Sequence, residues 1–313
     1  MLRGVFPVLS TPFLADGSPD ECSLIGLVKY CADAGATGVV YPAIASEFAT
    51  LTLAERHQLV ACVLAQAGAC GLQSVIGVSS ASPTTSADLA QRARDAGATA
   101  LMLMAPRSAG TSAEQVAAFF RASLGEEPSC PVILQNAPPP LGSALPISTV
   151  LNVLAMFPAI RYVKEENMPC GQRISQLLEG RPTTVWGVMG GAGGRFAVDE
   201  YIRGACGSMP SCELVEAHVA IWAHVNGGNV DAARKVLHEI LPLLNMGFVF
   251  RQSAVKRLLL KRGLIQSDYF RDRNPSLDEH DGAEMDWIYQ LLRHQMTATS
   301  SQKEQAPSLG RAT

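Results

Sequence analysis

Eight short apolar runs, separated by longer stretches with helical spacing, constrain this chain more than anything else in its sequence. The runs are GVFPVLS (4–10), GVVYPA (38–43), SVIGVS (74–79), ALMLMA (100–105), PVILQNA (131–137), IRYVKE (160–165), TVWGVM (184–189) and GSMPS (207–211). A continuous apolar run of this length suits a parallel strand buried on both faces. Between the runs, PDECSLIGLVKYCADAG (19–35) places Leu24, Leu27, Val28 and Cys31 on one helical face. The stretch 52–68 opens with Thr52 and Glu55, the reciprocal pair of a capping box. The stretches 84–97 and 112–125 follow the same plan, and Gly35, Gly68, Gly97 and Gly125 stand where helix C-caps belong.

Eight such strand–helix units predict an α/β fold, a (β/α)8 TIM barrel. A doubly wound sheet would need G-x-G-x-x-G after its first strand, and the glycine run GGAGG (190–194) comes far too late for that. A chain of 313 residues fits a barrel as one domain. After Ser211 only helical patterns follow, at 212–227, 229–245, 249–263 and 283–296, more than a barrel's last helix requires. The expected organisation is barrel strands and helices over 1–211, then the last barrel helix and a C-terminal helical appendage over 212–296. A disordered tail is expected over 297–313.

Composition narrows the function. The formal net charge is −3, with no basic stripe, which argues against nucleic acid as a partner. Every apolar run is interrupted by Gly, Pro or a charge, so no membrane span is expected. MLRGVFPVLSTPF at the N-terminus lacks the layout of a signal peptide, and the chain reads as cytoplasmic. Its eight cysteines form no C-x-x-C pair and read as small hydrophobes; its six histidines form no ligand pattern, so no metal is expected.

In a parallel barrel, chemistry sits at the C-terminal ends of the strands. That rule selects Thr11 after strand one, Ile44, Ala45, Ser46 and Glu47 after strand two, and Gln135 and Asn136 on strand five. It adds Lys164 and Glu166 on strand six and Gly190 and Gly191 after strand seven. Lys164 is the lysine among these ends. One reading makes it a strand-end ion pair. The other makes it an amine nucleophile whose pKa is lowered by an apolar barrel wall. Side chains alternate along a strand, so Glu166 shares the Lys164 face, where it can move protons, while Glu165 points away. Ser46 either offers a hydroxyl to an anion or caps the next helix, and Glu47 reads as capping or packing. The glycines after strand seven either donate backbone amides to an anion or form a plain turn.

Taken together, these residues resemble the dihydrodipicolinate synthase and N-acetylneuraminate lyase family of Schiff-base lyases over about residues 2–296. The shared stretches are Gly4-Val5-x-Pro7 with Thr11-Pro12-Phe13, Ser46-Glu47-Phe48-Ala49-Thr50-Leu51-Thr52 with Glu55-Arg56, Val163-Lys164-Glu165, and Ala254-Val255-Lys256. The resemblance implies a TIM barrel with appended helices, usually a homotetramer. It implies a Lys164 imine with a 2-oxo acid, no cofactor, and a substrate carboxylate held by Ile44 to Ser46. The chain departs from the family in having Ala43-Ile44-Ala45-Ser46-Glu47 where the family has Gly-Thr-Thr-Gly-Glu. It also has Gln135 where the family has a proton-relaying tyrosine. An amide orients but does not titrate.

The pattern is similar to the 2-keto-3-deoxy sugar acid dehydratases of the L-2-keto-3-deoxyarabonate type, which share Gln on strand five, Lys-x-Glu on strand six and Met209-Pro210-Ser211 after strand eight. The expected function is therefore dehydration of a 2-keto-3-deoxy sugar acid. A pyruvate-releasing retro-aldolase, a condensing synthase, and a keto-acid-binding barrel without turnover are the alternatives.

Overall fold

The computed structural model describes residues 1–272 and 275–303. Eight parallel strands form one sheet: β1 (Gly4–Val5), β2 (Gly38–Tyr41), β3 (Gln73–Gly77), β4 (Ala100–Met104), β5 (Val132–Asn136), β6 (Ile160–Glu165), β7 (Gly187–Gly190) and β8 (Gly207–Ser208). Their order is β1-β8-β7-β6-β5-β4-β3-β2. The seam between β1 and β2 is closed by Val8, which bridges both Val40 and Ser211. Leu9 N donates to Val40 O at 3.0 Å and Val40 N to Pro7 O at 2.9 Å. The expected (β/α)8 barrel is present.

Several runs are shorter as strands than as apolar sequence. Pro7 has no N–H, so the run 4–10 makes a two-residue ladder and rejoins the sheet at Val8. The seventh strand starts at Gly187, leaving Trp186 outside it, packed edge-on against Tyr162 with ring centroids 5.8 Å apart. Gly68 is not a C-cap: its helix continues to Ala69, and the left-handed residue is Gly71 at φ 68°.

The barrel helices are α1 (Glu21–Asp33), α2 (Leu53–Ala69), α3 (Pro83–Asp95), α4 (Ala113–Leu124), α5 (Ile147–Met156), α6 (Cys170–Gly180), α7 (Ala197–Ile202) and α8 (Val215–Asn226). Leu24, Leu27, Val28 and Cys31 form the buried stripe of α1, as their spacing requires. The capping box of α2 is formed: Thr52 Oγ1 accepts from Glu55 N, and Thr52 N donates to Glu55 Oε2. The appendage comprises α9 (Val230–Phe250), α10 (Gln252–Lys261) and α11 (Glu279–Lys303). α9 runs past the expected end at 245 because Ile240, Leu243 and Leu244 keep it buried; it breaks at Arg251, φ 47°. α11 reaches into the stretch read as a tail, and 304–313 lie outside the described residues. No helix among the described residues is long and apolar enough to cross a membrane.

Inside the barrel, Phe6, Val8, Val40, Ile133, Tyr162 and Met189 pack together. Fully burying a side chain of this size contributes roughly 1.5–3 kcal/mol. In the layer above, Gln135 pairs in register with Lys164, and Lys164 with Met189. The sheet register therefore places a lysine and an amide side by side at the open end of an apolar core.

Candidate active site

A cavity of about 510 Å³ lies at the C-terminal ends of the strands. Lys164, Glu166, Val8 and Met209 border it from the barrel. Ile44, Ala45 and Glu47 border it from the β2 loop, and Pro138 to Leu141 from the β5 loop. Another wall comes from α9 and α10, through Leu244, Gly247, Phe248, Gln252 and Val255.

Lys164 is 3% exposed and sits one pleat above Tyr162, whose hydroxyl accepts a hydrogen bond from Leu2 N at 2.7 Å. Lys164 Nζ lies 3.1 Å from Glu166 Oε1. The other oxygen of Glu166 accepts from Gln135 Nε2 at 2.7 Å, and Ala192 N donates to Oε1 at 3.4 Å. Glu166 is thus a carboxylate held from two sides beside the only amine bordering the cavity among the described residues. Glu165 points the other way, as alternation requires. It is fully buried and accepts from Asn136 Nδ2 and from the backbone and side-chain amides of Asn167, with Arg173 beside it.

Not every residue selected from the sequence reaches the cavity. Ser46 Oγ donates to Leu9 O at 2.5 Å and accepts from Ala43 N at 3.0 Å, so its hydroxyl ties the β2 loop to the β1 segment. Thr11 Oγ1 donates to Ser46 O at 2.6 Å and meets Tyr41 Oη at 3.0 Å in the same strut. With that hydroxyl committed, the amides of Ile44 and Ala45 remain, at the start of a one-turn helix (Ile44–Ser46) where the first N–H groups lack an intrahelical acceptor. Asn136 faces outward, its amide group shared between Glu165 and the backbone of Leu145. The glycines at the end of β7 make room for carboxylates: a Cβ on Gly191 would stand 2.5 Å from Glu166 Cγ, and one on Gly190 would stand 1.7 Å from Glu200 Oε2.

Glu47 is more than a cap. Its backbone is left-handed, at φ 56°, and its side chain is 2% exposed. Oε1 meets Lys256 Nζ at 2.5 Å, and Oε2 accepts from the amides of Arg271 and Asp272 at 2.7 and 2.8 Å. Lys256 also donates to Tyr269 O at 2.9 Å. Arg271 forks onto Glu55, whose carboxyl it holds down at about 2. The segment after α10 is thereby clamped over the barrel mouth.

Two further polar groups at the cavity carried no motif. Glu213, two residues beyond Met-Pro-Ser, borders it at 4% exposure, and burial raises its pKa. Oε1 accepts from Ser211 Oγ at 3.0 Å, and Oε2 has no partner. Arg195 borders it one residue past the glycine run. Its Nε donates to Ala192 O at 3.2 Å, and its guanidinium carbon lies 3.6 Å from the Phe248 ring centroid.

With this geometry in view, the relatives are informative. The sequence model of the dihydrodipicolinate synthetase family matches residues 1–289. The 4-hydroxy-tetrahydrodipicolinate synthase of Chlorobium luteolum is 30% identical over 309 residues, covering 93% of this chain and 97% of that protein. The enzyme of the same name from Methanothrix thermoacetophila is 29% identical over 255 residues, covering 80% of this chain and 83% of that protein. Among solved structures, dihydrodipicolinate synthase from Rhodopseudomonas palustris superposes with a TM-score of 0.84 at 26% identity, covering 92% of this chain and 97% of that one. The chain belongs to the dihydrodipicolinate synthetase family of Schiff-base lyases.

Proposed function

We propose that the chain forms an imine between Lys164 and a small 2-oxo acid and then dehydrates it, the substrate being a 2-keto-3-deoxy sugar acid. The observation that carries this reading is the triad of Lys164, Glu166 and Gln135, with Glu166 fixed 3.1 Å from the amine by a side chain that does not titrate.

The steps follow from that arrangement. Lys164 gives up its ammonium proton to solvent and attacks the keto carbon as a neutral amine. The carbinolamine oxygen takes a proton back from solvent and leaves as water, giving an iminium that acidifies C3. The substrate carboxylate rests on the amides of Ile44 and Ala45. Glu166 takes a C3 proton, leaving an enamine. The enamine pair moves to form C3=C4 while the C4–O bond breaks with its electrons. That oxygen takes a proton and departs as water. Glu213, which burial favours in its protonated form, borders the same cavity as a second acid for this step. Water then hydrolyses the iminium and releases Lys164. The imine is the electron sink throughout.

A second reading is a condensing synthase, favoured by the names of the relatives at up to 30% identity among those described above. Gln135 weighs against it, because an amide cannot relay the proton a carbon–carbon bond-forming step must move. Product mass separates the readings. Incubation with 2-keto-3-deoxy sugar acids is expected to give a product lighter by one water. Pyruvate release would instead make the enzyme an aldolase, and condensation of pyruvate with an aldehyde would make it a synthase.

The chain is also proposed to form a homo-oligomer, a tetramer by family resemblance. Val249, Leu260, Trp287 and Leu291, exposed on the appended helices, support this. Light scattering at micromolar concentration that returned a monomer would remove it.

A further inference from the structure

We propose that Arg195 and Arg251 form a second anion site at the cavity mouth, so that the substrate carries an anionic group at the end far from its 2-oxo acid. This rests on the Lys164 reading above and adds the class of substrate that the site selects.

Both side chains border the cavity that holds Lys164. Arg195 follows β7, next in the barrel to the Lys164 strand. Ala192 links the two positions, because its N–H donates to Glu166 and its carbonyl accepts from Arg195 Nε. Among the described residues, no carboxylate pairs with Arg195. Nη2 is buried without a partner among the described residues, and burial lowers the pKa of the group, opposed by the Cys170 thiol. A half-buried guanidinium left in this state is costly unless a ligand completes it.

Its geometry is set rather than loose. The guanidinium lies on the Phe248 ring at 3.6 Å, and the Ala192 carbonyl holds Nε. Such a fixed planar fork suits the two oxygens of a carboxylate or a phosphate. Arg251 comes from the other wall, three residues beyond Phe248, at the break between α9 and α10. Its φ of 47° is a left-handed backbone that a non-glycine residue adopts at a cost, and such strain gathers at functional sites. Two cations facing one cavity repel each other, and an anion between them removes that repulsion.

Substrates of matched length test the site. Borohydride trapping at Lys164 is compared for 2-oxoglutarate and 2-oxoadipate against 2-oxovalerate and 2-oxohexanoate, which lack the second carboxylate. The unaltered protein is expected to trap the diacids at concentrations lower on the order of tenfold or more. Arg195→Gln is expected to bring that ratio near one, and Arg195→Lys to restore part of it. Arg251→Gln, at an exposed position, is expected to lower the ratio partway. A parallel comparison of 2-keto-3-deoxygluconate with and without a 6-phosphate assigns the anion to carboxylate or phosphate by the larger preference. Equal trapping of every matched pair overturns the second anion site and leaves the Lys164 reading standing. Absence of a Lys164 adduct with any of the acids overturns the Lys164 reading itself.

Discussion

The protein buries two lysine–glutamate pairs at the same end of the barrel, and they are built for opposite ends. Lys256 and Glu47 are fully enclosed, 2.5 Å apart. Every strong group around them is used: two backbone amides on Glu47, the Tyr269 carbonyl on Lys256, and the Phe13 ring 4.3 Å from the ammonium. Lys164 and Glu166 are 3.1 Å apart with a cavity beside them, and Glu166 keeps 14% of its side chain exposed. Burial pulls the Lys256 ammonium down to about 8 even though Glu47 opposes the shift. A lowered amine pKa is the usual mark of a nucleophilic lysine. Here it marks the lysine that no substrate can reach. Access separates the chemical pair from the structural one: Lys164 and Glu166 border the cavity, and Lys256 does not.

Breaking each pair exposes the difference. Lys164→Ala is expected to fold, because it leaves a small void at a cavity edge, and to lose turnover by on the order of 10³-fold or more. Steady-state rates on the trapped substrate class, with a thermal melt as control, measure both. Lys256→Met should do the reverse. It leaves Glu47 buried without its cation, a loss on the order of 3–5 kcal/mol in stability, while protein that remains folded still forms the Lys164 imine. A denaturant midpoint near that of the parent would show that the enclosed pair does not hold the Arg271 segment in place.

A third carboxyl shows what an acid without a cation does. Glu200 is fully buried on α7, neither oxygen has a partner, and burial raises it to about 8. Its folded pKa lies above its unfolded one, so its contribution to stability is complete below about 4.5 and is lost as pH rises toward 8. Glu200→Gln is therefore expected to melt close to the parent at pH 5 and above it at pH 8, by on the order of a few kcal/mol. Parallel melting curves across that range would contradict it. Smaller again is Glu166→Gln, which keeps the imine and loses turnover by on the order of 10²-fold. Gln135→Ala, which only frees Glu166 to move, is expected to cost about tenfold or less.

The barrel was legible because its signal is periodic: apolar runs alternating with capped helices leave few other ways to bury the same side chains. Strand ends were less so. Pro7 and Trp186 sit in apolar runs that continue past the ladder, since hydropathy does not record which N–H finds an acceptor. In the site, alternation along β6 correctly put Glu166 beside Lys164 and Glu165 behind it. On β5 the same alternation turns Gln135 inward to Glu166 and Asn136 outward to Glu165. Ser46 looked like a ligand because a hydroxyl in a loop has no visible partner in sequence; its partner is Leu9, in the segment after β1. Arg195, Glu213 and Phe248 were missed for the matching reason. They meet only when α9 folds back over the mouth, and no spacing within one segment reports that contact.

The comparison of the two lysines reduces to one measurement: reduce the protein with borohydride in the presence of pyruvate, digest it, and find the modified peptide. The account predicts a single adduct on the peptide carrying Lys164, absent in Lys164→Ala and present in Glu166→Gln. An adduct on Lys256, or a Lys164→Ala protein that still traps pyruvate, would contradict it.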